Sequence, residues 1–189
     1  MTEIVLMSGS LRDGSYNSAV VATLRRLVAE RFDGVRTTVV HPAELPFYDQ
    51  DMDAANGSEA VLRMRNRVAA ADVLVISTPS YNGAAPGVLK NALDWLSRPY
   101  GESCLDGKPV AVASASPGPR GAVDAQPGLV EVLGHAGAAV VEHPPVAVGN
   151  AAELLTAKGE FEDAETLAAL EALLQAALAA VRRSEPVAA

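Results

Sequence analysis

A chain of 189 residues, 49 % hydrophobic and 20 % charged, has the length for one well-buried domain and a composition that excludes wholesale disorder. Its net charge of −8, with no basic run longer than the pairs Arg25-Arg26 and Arg182-Arg183, excludes nucleic acid or an anionic membrane as the main partner. A single cysteine, Cys104, excludes an intrachain disulfide framework and fits a reducing compartment.

No basic-then-apolar leader opens the chain, and no apolar stretch approaches the ~18 residues of a membrane span. The expectation is a soluble, cytoplasmic, single-domain protein over residues 1–184. Residues 185–189 are expected to form a frayed, flexible tail.

In chain order, residues 4–7 read as a first strand, and Val20, Leu24, Leu27 and Val28 follow at helical spacing. Residues 35–40 alternate Val and Thr as a second strand. After a long loop, Val61, Met64 and Val68 predict a helix, and "DVLVIS" (72–77) a buried strand. Leu89, Ala92, Leu93 and Leu96 mark the next helix, with Pro86 near its start. "PVAVASA" (109–115) is a strand, Leu129, Val132, Leu133 and Ala136 form a helix stripe, and Gly137 ends it. "AAVVE" (138–142) reads as the fifth strand. Leu167, Leu170, Leu174, Leu178 and Val181 line a final helix.

Five β/α repeats with continuous apolar strands define an α/β fold, a parallel sheet covered by helices on both faces. The flavodoxin-like, doubly wound order 2-1-3-4-5 is the natural five-strand solution. Ligands in such sheets bind off the carboxyl ends of the strands. Three loops are therefore the places to look: "SGSLRDGSYN" (8–17), "TPSYNGAAPG" (78–87) and "ASPGPRGA" (115–122).

The first loop leads from a strand into a helix, whose unpaired N–H groups and macrodipole favour an anion. Ser8, Ser10 and Ser15 add hydroxyls, Asn17 an amide and Arg12 a guanidinium, a set that describes a phosphate cradle. A plain capped helix needs only one such residue. Gly9 and Gly14 have Walker A spacing, but Ser15 stands where the lysine belongs, and the dinucleotide fingerprint of paired glycines is absent. ATP hydrolysis and a Rossmann-type NAD site are both demoted. Charge-assisted hydrogen bonds contribute roughly 1.5–3 kcal/mol each, whereas association costs about 4–15 kcal/mol. A retained nucleotide therefore needs a second platform beyond its phosphate.

The second loop supplies a candidate. Pro79 and Gly83 shape it, Pro86 and Gly87 enter the helix, and Tyr81 and Asn82 project at the strand end. Its main chain suits the edge of a planar heterocycle, although a core-packing Tyr81 is the plainer reading. In the third loop Ser116 and Gly118 permit close approach of a ligand.

These stretches resemble the NADPH-dependent FMN reductase family of flavodoxin-like quinone, chromate and azo reductases. "SGSLRDGSYN" is similar to its FMN-phosphate signature. "PSYNGAAPGVLKNALDW" (79–95) is similar to its second signature, usually Pro-Glu-Tyr-Asn followed by Pro-Gly-x-Leu-Lys-Asn-Ala-x-Asp-Trp. "LPFYDQD" (45–51) resembles the segment after strand two. The resemblance implies FMN phosphate on Ser10, Arg12, Ser15 and Asn17. It implies the flavin ring beside Pro79, Ser80, Tyr81, Asn82 and Gly83, with Ser116 to Gly118 closing the other side. It also implies a homodimer or homotetramer, with residues 88–96 in the contact region. Two departures stand out. Ser80 replaces the usual glutamate, removing a carboxylate from the ring's neighbourhood. Gly121-Ala122 replaces a common Gly-Gly, with Arg120 an unusual charge beside it.

The function so implied is hydride transfer from NADPH or NADH to bound FMN, then electron transfer to a quinone-like or other soluble small-molecule acceptor in a ping-pong cycle. The cofactor performs the chemistry, so no catalytic side chain is expected. His41, His135 and His143 lie on different elements without a second metal ligand at useful spacing, and no metal is expected. Cys104 reads as an ordinary thiol. Lys90 and Trp95 read as packing or subunit-contact residues, and "DQDMD" (49–53) as a solvated acidic loop. Two rivals remain at this stage. One is a one-electron flavodoxin carrier; the other is a hydrolase or nucleotide-binding regulator using the same anion site.

Overall fold

The computed structural model describes residues 1–54 and 57–184; the tail expected at 185–189 lies outside the described residues. The elements run β1 (Thr2–Ser8), α1 (Tyr16–Arg31), β2 (Val35–Val40), α2 (Gln50–Ala54), α3 (Glu59–Ala70), β3 (Val73–Thr78) and α4 (Gly87–Leu96). They continue with β4 (Pro109–Ala115), α5 (Gln126–His135), β5 (Ala139–Val140), β6 (Val146–Val148), α6 (Ala151–Leu154) and α7 (Ala164–Ser184). All strand pairs are parallel, in the order β2-β1-β3-β4-β5, the doubly wound order the alternating pattern predicts.

Strands β3 and β4 are buried along their whole length, which is why they read as unbroken apolar runs. Successive side chains face opposite layers. Ile4, Leu6, Val73, Val75, Ala111 and Ala113 pack with residues of α1 and α7. Val5, Met7, Leu74, Ile76, Val110 and Val112 pack with residues of α3, α4 and α5 on the other face. Burying one Leu or Ile of this kind contributes about 1.5–3 kcal/mol. Ser15 caps α1 by accepting the Asn17 N–H, and Ser58 caps α3 by accepting the Val61 N–H.

The expected fifth strand is divided. β5 pairs with β4 only at Pro109↔Ala139 and Val110↔Val140, and the chain then leaves the ladder through His143, Pro144 and Pro145. It rejoins as β6, pairing Ala113↔Val146 through Ala115↔Val148. Two consecutive prolines cannot donate to a ladder, so the strand restarts beyond them.

Two further expectations change. Residues 164–182 of α7 have a mean hydropathy of 1.5 and, by length and composition alone, could cross a membrane. The helix instead sets Leu170, Leu173, Leu174 and Ala177 into the core against the sheet. Residues 49–53 are not a wholly solvated acidic loop. Asp49 accepts the Asp51 N–H at 2.8 Å, and Asp53 pairs with Arg65 at 2.6 Å beside the Trp95 ring. Trp95 itself is buried and donates to Pro46 O at 2.8 Å, whereas Lys90 stays on the surface with Asp94.

Candidate active site

The strands change character at their carboxyl ends. Ser8, Ser77, Thr78 and Ser114 follow apolar runs, and all four are buried. Register brings them together, with Ser8 beside Ser77 and Thr78 beside Ser114. Just beyond these strand ends, where the three loops converge, lies a cleft of about 320 Å³. A larger hollow of about 580 Å³ lies between α4 and α5, lined by Lys90, Asp94, Arg98 and His135, and shares no residue with this cleft.

The first loop contributes Ser10, Arg12, Ser15, Tyr16 and Asn17 to the lining. Ser10 Oγ accepts the Arg12 N–H at 3.3 Å and Ser15 Oγ accepts the Asn17 N–H at 3.2 Å, leaving both hydroxyl protons for a ligand. Among the described residues, the Tyr16 and Ser18 N–H groups of the first helical turn make no hydrogen bond, as helix geometry requires. The Arg12 guanidinium donates to Gly14 O at 2.9 Å, stacks on Tyr16 at 5.2 Å and pairs with no described carboxylate. Ser8 differs from its neighbours. Its hydroxyl is bonded to the Ser10 and Ser18 groups within the loop, so it braces the cradle.

Asn17 is both lining and bracket. Its amide oxygen accepts from Ser77 Oγ at 2.9 Å and from the Ala115 N–H at 3.0 Å, while its nitrogen donates to Ala115 O at 3.0 Å. One side chain on α1 thereby ties β3 to β4 across the sheet. The amide carries a second N–H, and only that one is left for a ligand.

The second loop lines the cleft with Pro79, Ser80 and Tyr81, the last half exposed. Asn82 and Gly83 lie outside the lining. They have φ of +56° and +80° and form the tip of a tight turn closed by Tyr81 N–H to Ala84 O at 2.8 Å. Asn-Gly is the pairing such a turn favours, so both residues act by presenting Tyr81.

The third loop lines the cleft with Ala115, Ser116 and Pro117. Gly118 lies behind it, its carbonyl accepting from Asn150 N–H at 3.1 Å and Gly121 N–H at 3.2 Å. Gly121 has φ of +58°, and a Cβ there would fall 2.7 Å from backbone atoms of Ala147 and Val148. The loop therefore packs backbone to backbone against β6, the strand the sequence pattern left out. Gln126, buried, donates to Ser114 Oγ and to Val146 O, each at 2.8 Å, and Ser114 Oγ donates to Gly121 O at 2.6 Å.

The carboxylate absent at position 80 is replaced from elsewhere. Ser80 Oγ donates to Asp124 Oδ2 at 2.7 Å. That hydrogen bond, then the residue's own backbone N–H and the charge of Arg120, hold the Asp124 carboxyl below the usual carboxylate range. Cys104 lies far from this chemistry. Its thiol donates to Leu96 O at 3.3 Å, and burial pushes it up to about 11.

Sequence reasoning did not single out Ser77, Thr78 and Ser114, buried hydroxyls that brace Asn17, Pro79 and Gly121 behind the cleft. It also missed Asp124 and Gln126, for which no local signal exists. Among the described residues, no group of three or more His, Cys, Asp or Glu side chains is placed to hold a metal ion.

This geometry agrees with comparison to known proteins. The family model for NADPH-dependent FMN reductase matches residues 2–153. The chain is 36 % identical over 181 residues to an NAD(P)H-dependent FMN reductase of Pseudomonas aeruginosa, covering 96 % of each. It is 35 % identical over 160 residues to a quinone reductase of Pseudomonas putida, covering 85 % of this chain and 84 % of the relative. Among solved structures, the flavoenzyme NAD(P)H:(acceptor) oxidoreductase FerB of Paracoccus denitrificans superposes with a TM-score of 0.86 at 34 % identity, covering 97 % of this chain and 98 % of that one. Three convergent loops over a doubly wound sheet, matched over nearly the whole length by these relatives, place the chain in the NADPH-dependent FMN reductase family.

Proposed function

We propose that this protein binds FMN in the cleft at the carboxyl ends of β1, β3 and β4, and acts as an NAD(P)H-dependent quinone reductase with a ping-pong cycle. The observation that carries the reading is the donor set at one end of the cleft. Two free hydroxyl protons, unpaired first-turn N–H groups and a guanidinium with no described carboxylate partner suit a phosphate dianion better than any neutral group. The opposite end, at Pro79 and Tyr81, offers flat apolar surface beside main chain, suited to a planar heterocycle.

FMN held there would supply the redox chemistry, hydride acceptance from NADPH or NADH and two-electron delivery to a quinone-like acceptor. The chain holds the phosphate with Ser10, Arg12, Ser15 and the remaining Asn17 N–H, and flanks the ring with the second and third loops. No side chain is required as acid, base or nucleophile. Donor and acceptor use the same open face in turn.

The active form is a homo-oligomer in this reading. Pro46 O is pinned to α4 by Asn91 and Trp95, each through a side-chain N–H, which leaves the adjacent Phe47 ring 88 % exposed beside that helix. An exposed aromatic held this rigidly suits a subunit contact. The reading also places the protein in the cytoplasm, where NAD(P)H is at hand.

The test is an absorbance spectrum after adding FMN and desalting, followed by anaerobic NADPH and then NADH. Retained yellow colour that bleaches with a donor and returns with a quinone supports the reading and names the donor. Protein that emerges colourless overturns it.

A further inference from the structure

The second and third loops meet in one side-chain contact, Ser80 Oγ to Asp124 Oδ2 at 2.7 Å. Ser80 lines the cleft, whereas Asp124 is the middle residue of a short 3-10 turn, Val123–Ala125, just outside the lining. The backbone that carries Asp124 is fixed from both sides. Before it, Gly121 and Ala122 take left-handed conformations, with φ of +58° and +61°, and Gly121 is pressed on the β6 backbone. After it, buried Gln126 is bonded to Ser114 and to Val146 O. Buried polar groups thus hold an exposed carboxylate in one place.

The charge has no counterpart elsewhere in the cleft. Among the described residues, Arg12 is the one charged side chain in the lining, at the phosphate end. An exposed aspartate is ionised at neutral pH, and the Ser80 hydrogen bond and the charge of Arg120 favour that charged form further. The cleft therefore has a cation, Arg12, in its lining at one end, and a carboxylate, Asp124, bonded to its lining residue Ser80 at the other.

We propose that Asp124, held by Ser80, is a positioning charge that tunes the bound flavin, disfavouring its electron-rich reduced form relative to the oxidised one. Like charge near a group that gains negative charge raises the free energy of the charged state. The chemical consequence is easier release of electrons to the acceptor. The inference rests on the FMN reading above and deepens it.

The test uses the FMN-loaded protein and its Asp124→Asn and Asp124→Glu variants. Asparagine still accepts from Ser80 but carries no charge; glutamate keeps the charge. The Asp124→Asn variant is expected to bind reduced FMN, relative to oxidised FMN, about two- to tenfold more tightly than the parent. This reads as a rise in midpoint potential by spectroelectrochemical titration. The Asp124→Glu variant is expected to stay near the parent, and the difference is expected to shrink at high salt. A loaded Asp124→Asn protein with the parent potential overturns this inference alone, as does an equal shift in both variants. A parent protein that retains no FMN overturns the functional reading itself.

Discussion

The two ends of the cleft are built by opposite strategies. At the end proposed for the phosphate, Ser10, Arg12, Ser15 and Asn17 lie within eight consecutive residues and converge because a strand-to-helix turn puts them there. At the other end, Ser80 comes from the second loop and Ser116 and Asp124 from the third loop and the turn that follows it, and their positions depend on β6, on Gln126 and on a glycine pressed against backbone. A local cradle survives loss of distant contacts. A rim assembled from distant segments does not, and three substitutions test this contrast.

Gly121→Ala should have the largest effect. Its Cβ would meet the backbone of residues 147–149 at 2.7–2.8 Å, where no flexible side chain can yield, and alanine is strained at φ +58°. Strain and overpacking together should cost about 2–6 kcal/mol. Urea unfolding should register the loss, and FMN affinity should fall through the disordering of the third loop. Parent-like stability would show that the loop does not depend on β6.

Asn17→Ala comes next and sharpens the comparison, because this residue belongs to the local cradle yet braces the sheet. It leaves the Ala115 N–H, the Ala115 carbonyl and the Ser77 hydroxyl without their partner. Each buried group so stranded costs about 1–3 kcal/mol unless water reaches it. The expected signature is a fall in the unfolding midpoint with the slope unchanged.

Arg12→Ala should affect binding and spare the fold. The side chain is exposed and touches only its own loop. Loss of its charge-assisted contact should weaken FMN by about 10- to 150-fold, from roughly 1.5–3 kcal/mol. Fluorescence titration measures the first quantity and thermal unfolding the second. Unchanged FMN affinity would remove Arg12 from the cradle.

Much of this molecule was legible in its sequence, and the reasons are local. β2 and β4 have the bounds their β-branched and apolar runs predict, and α1 starts at the serine cap that opens it. The errors are also instructive. The fifth strand was read as continuous because periodicity within 138–142 says nothing of where the chain rejoins the sheet after Pro144 and Pro145. The span-like apolarity of α7 is spread over many alanines, which form no continuous run of large apolar residues. Asn82, Gly83 and Gly118 are a different case, for they shape the turn and loop around the cleft, which is compatible with the ligand contact their motif implies.

The sequence by itself determined the layer order, the strand-to-helix cradle and the family resemblance, because each depends on residues within one turn, one strand or one motif. Only the tertiary structure decided that Asn17 bridges β3 and β4, that β6 supports the third loop, and that Asp124 returns a carboxylate to Ser80. These contacts join residues 98, 27 and 44 positions apart. Chain separation of that size leaves no trace in local periodicity, and packing of the whole sheet sets which distant groups meet.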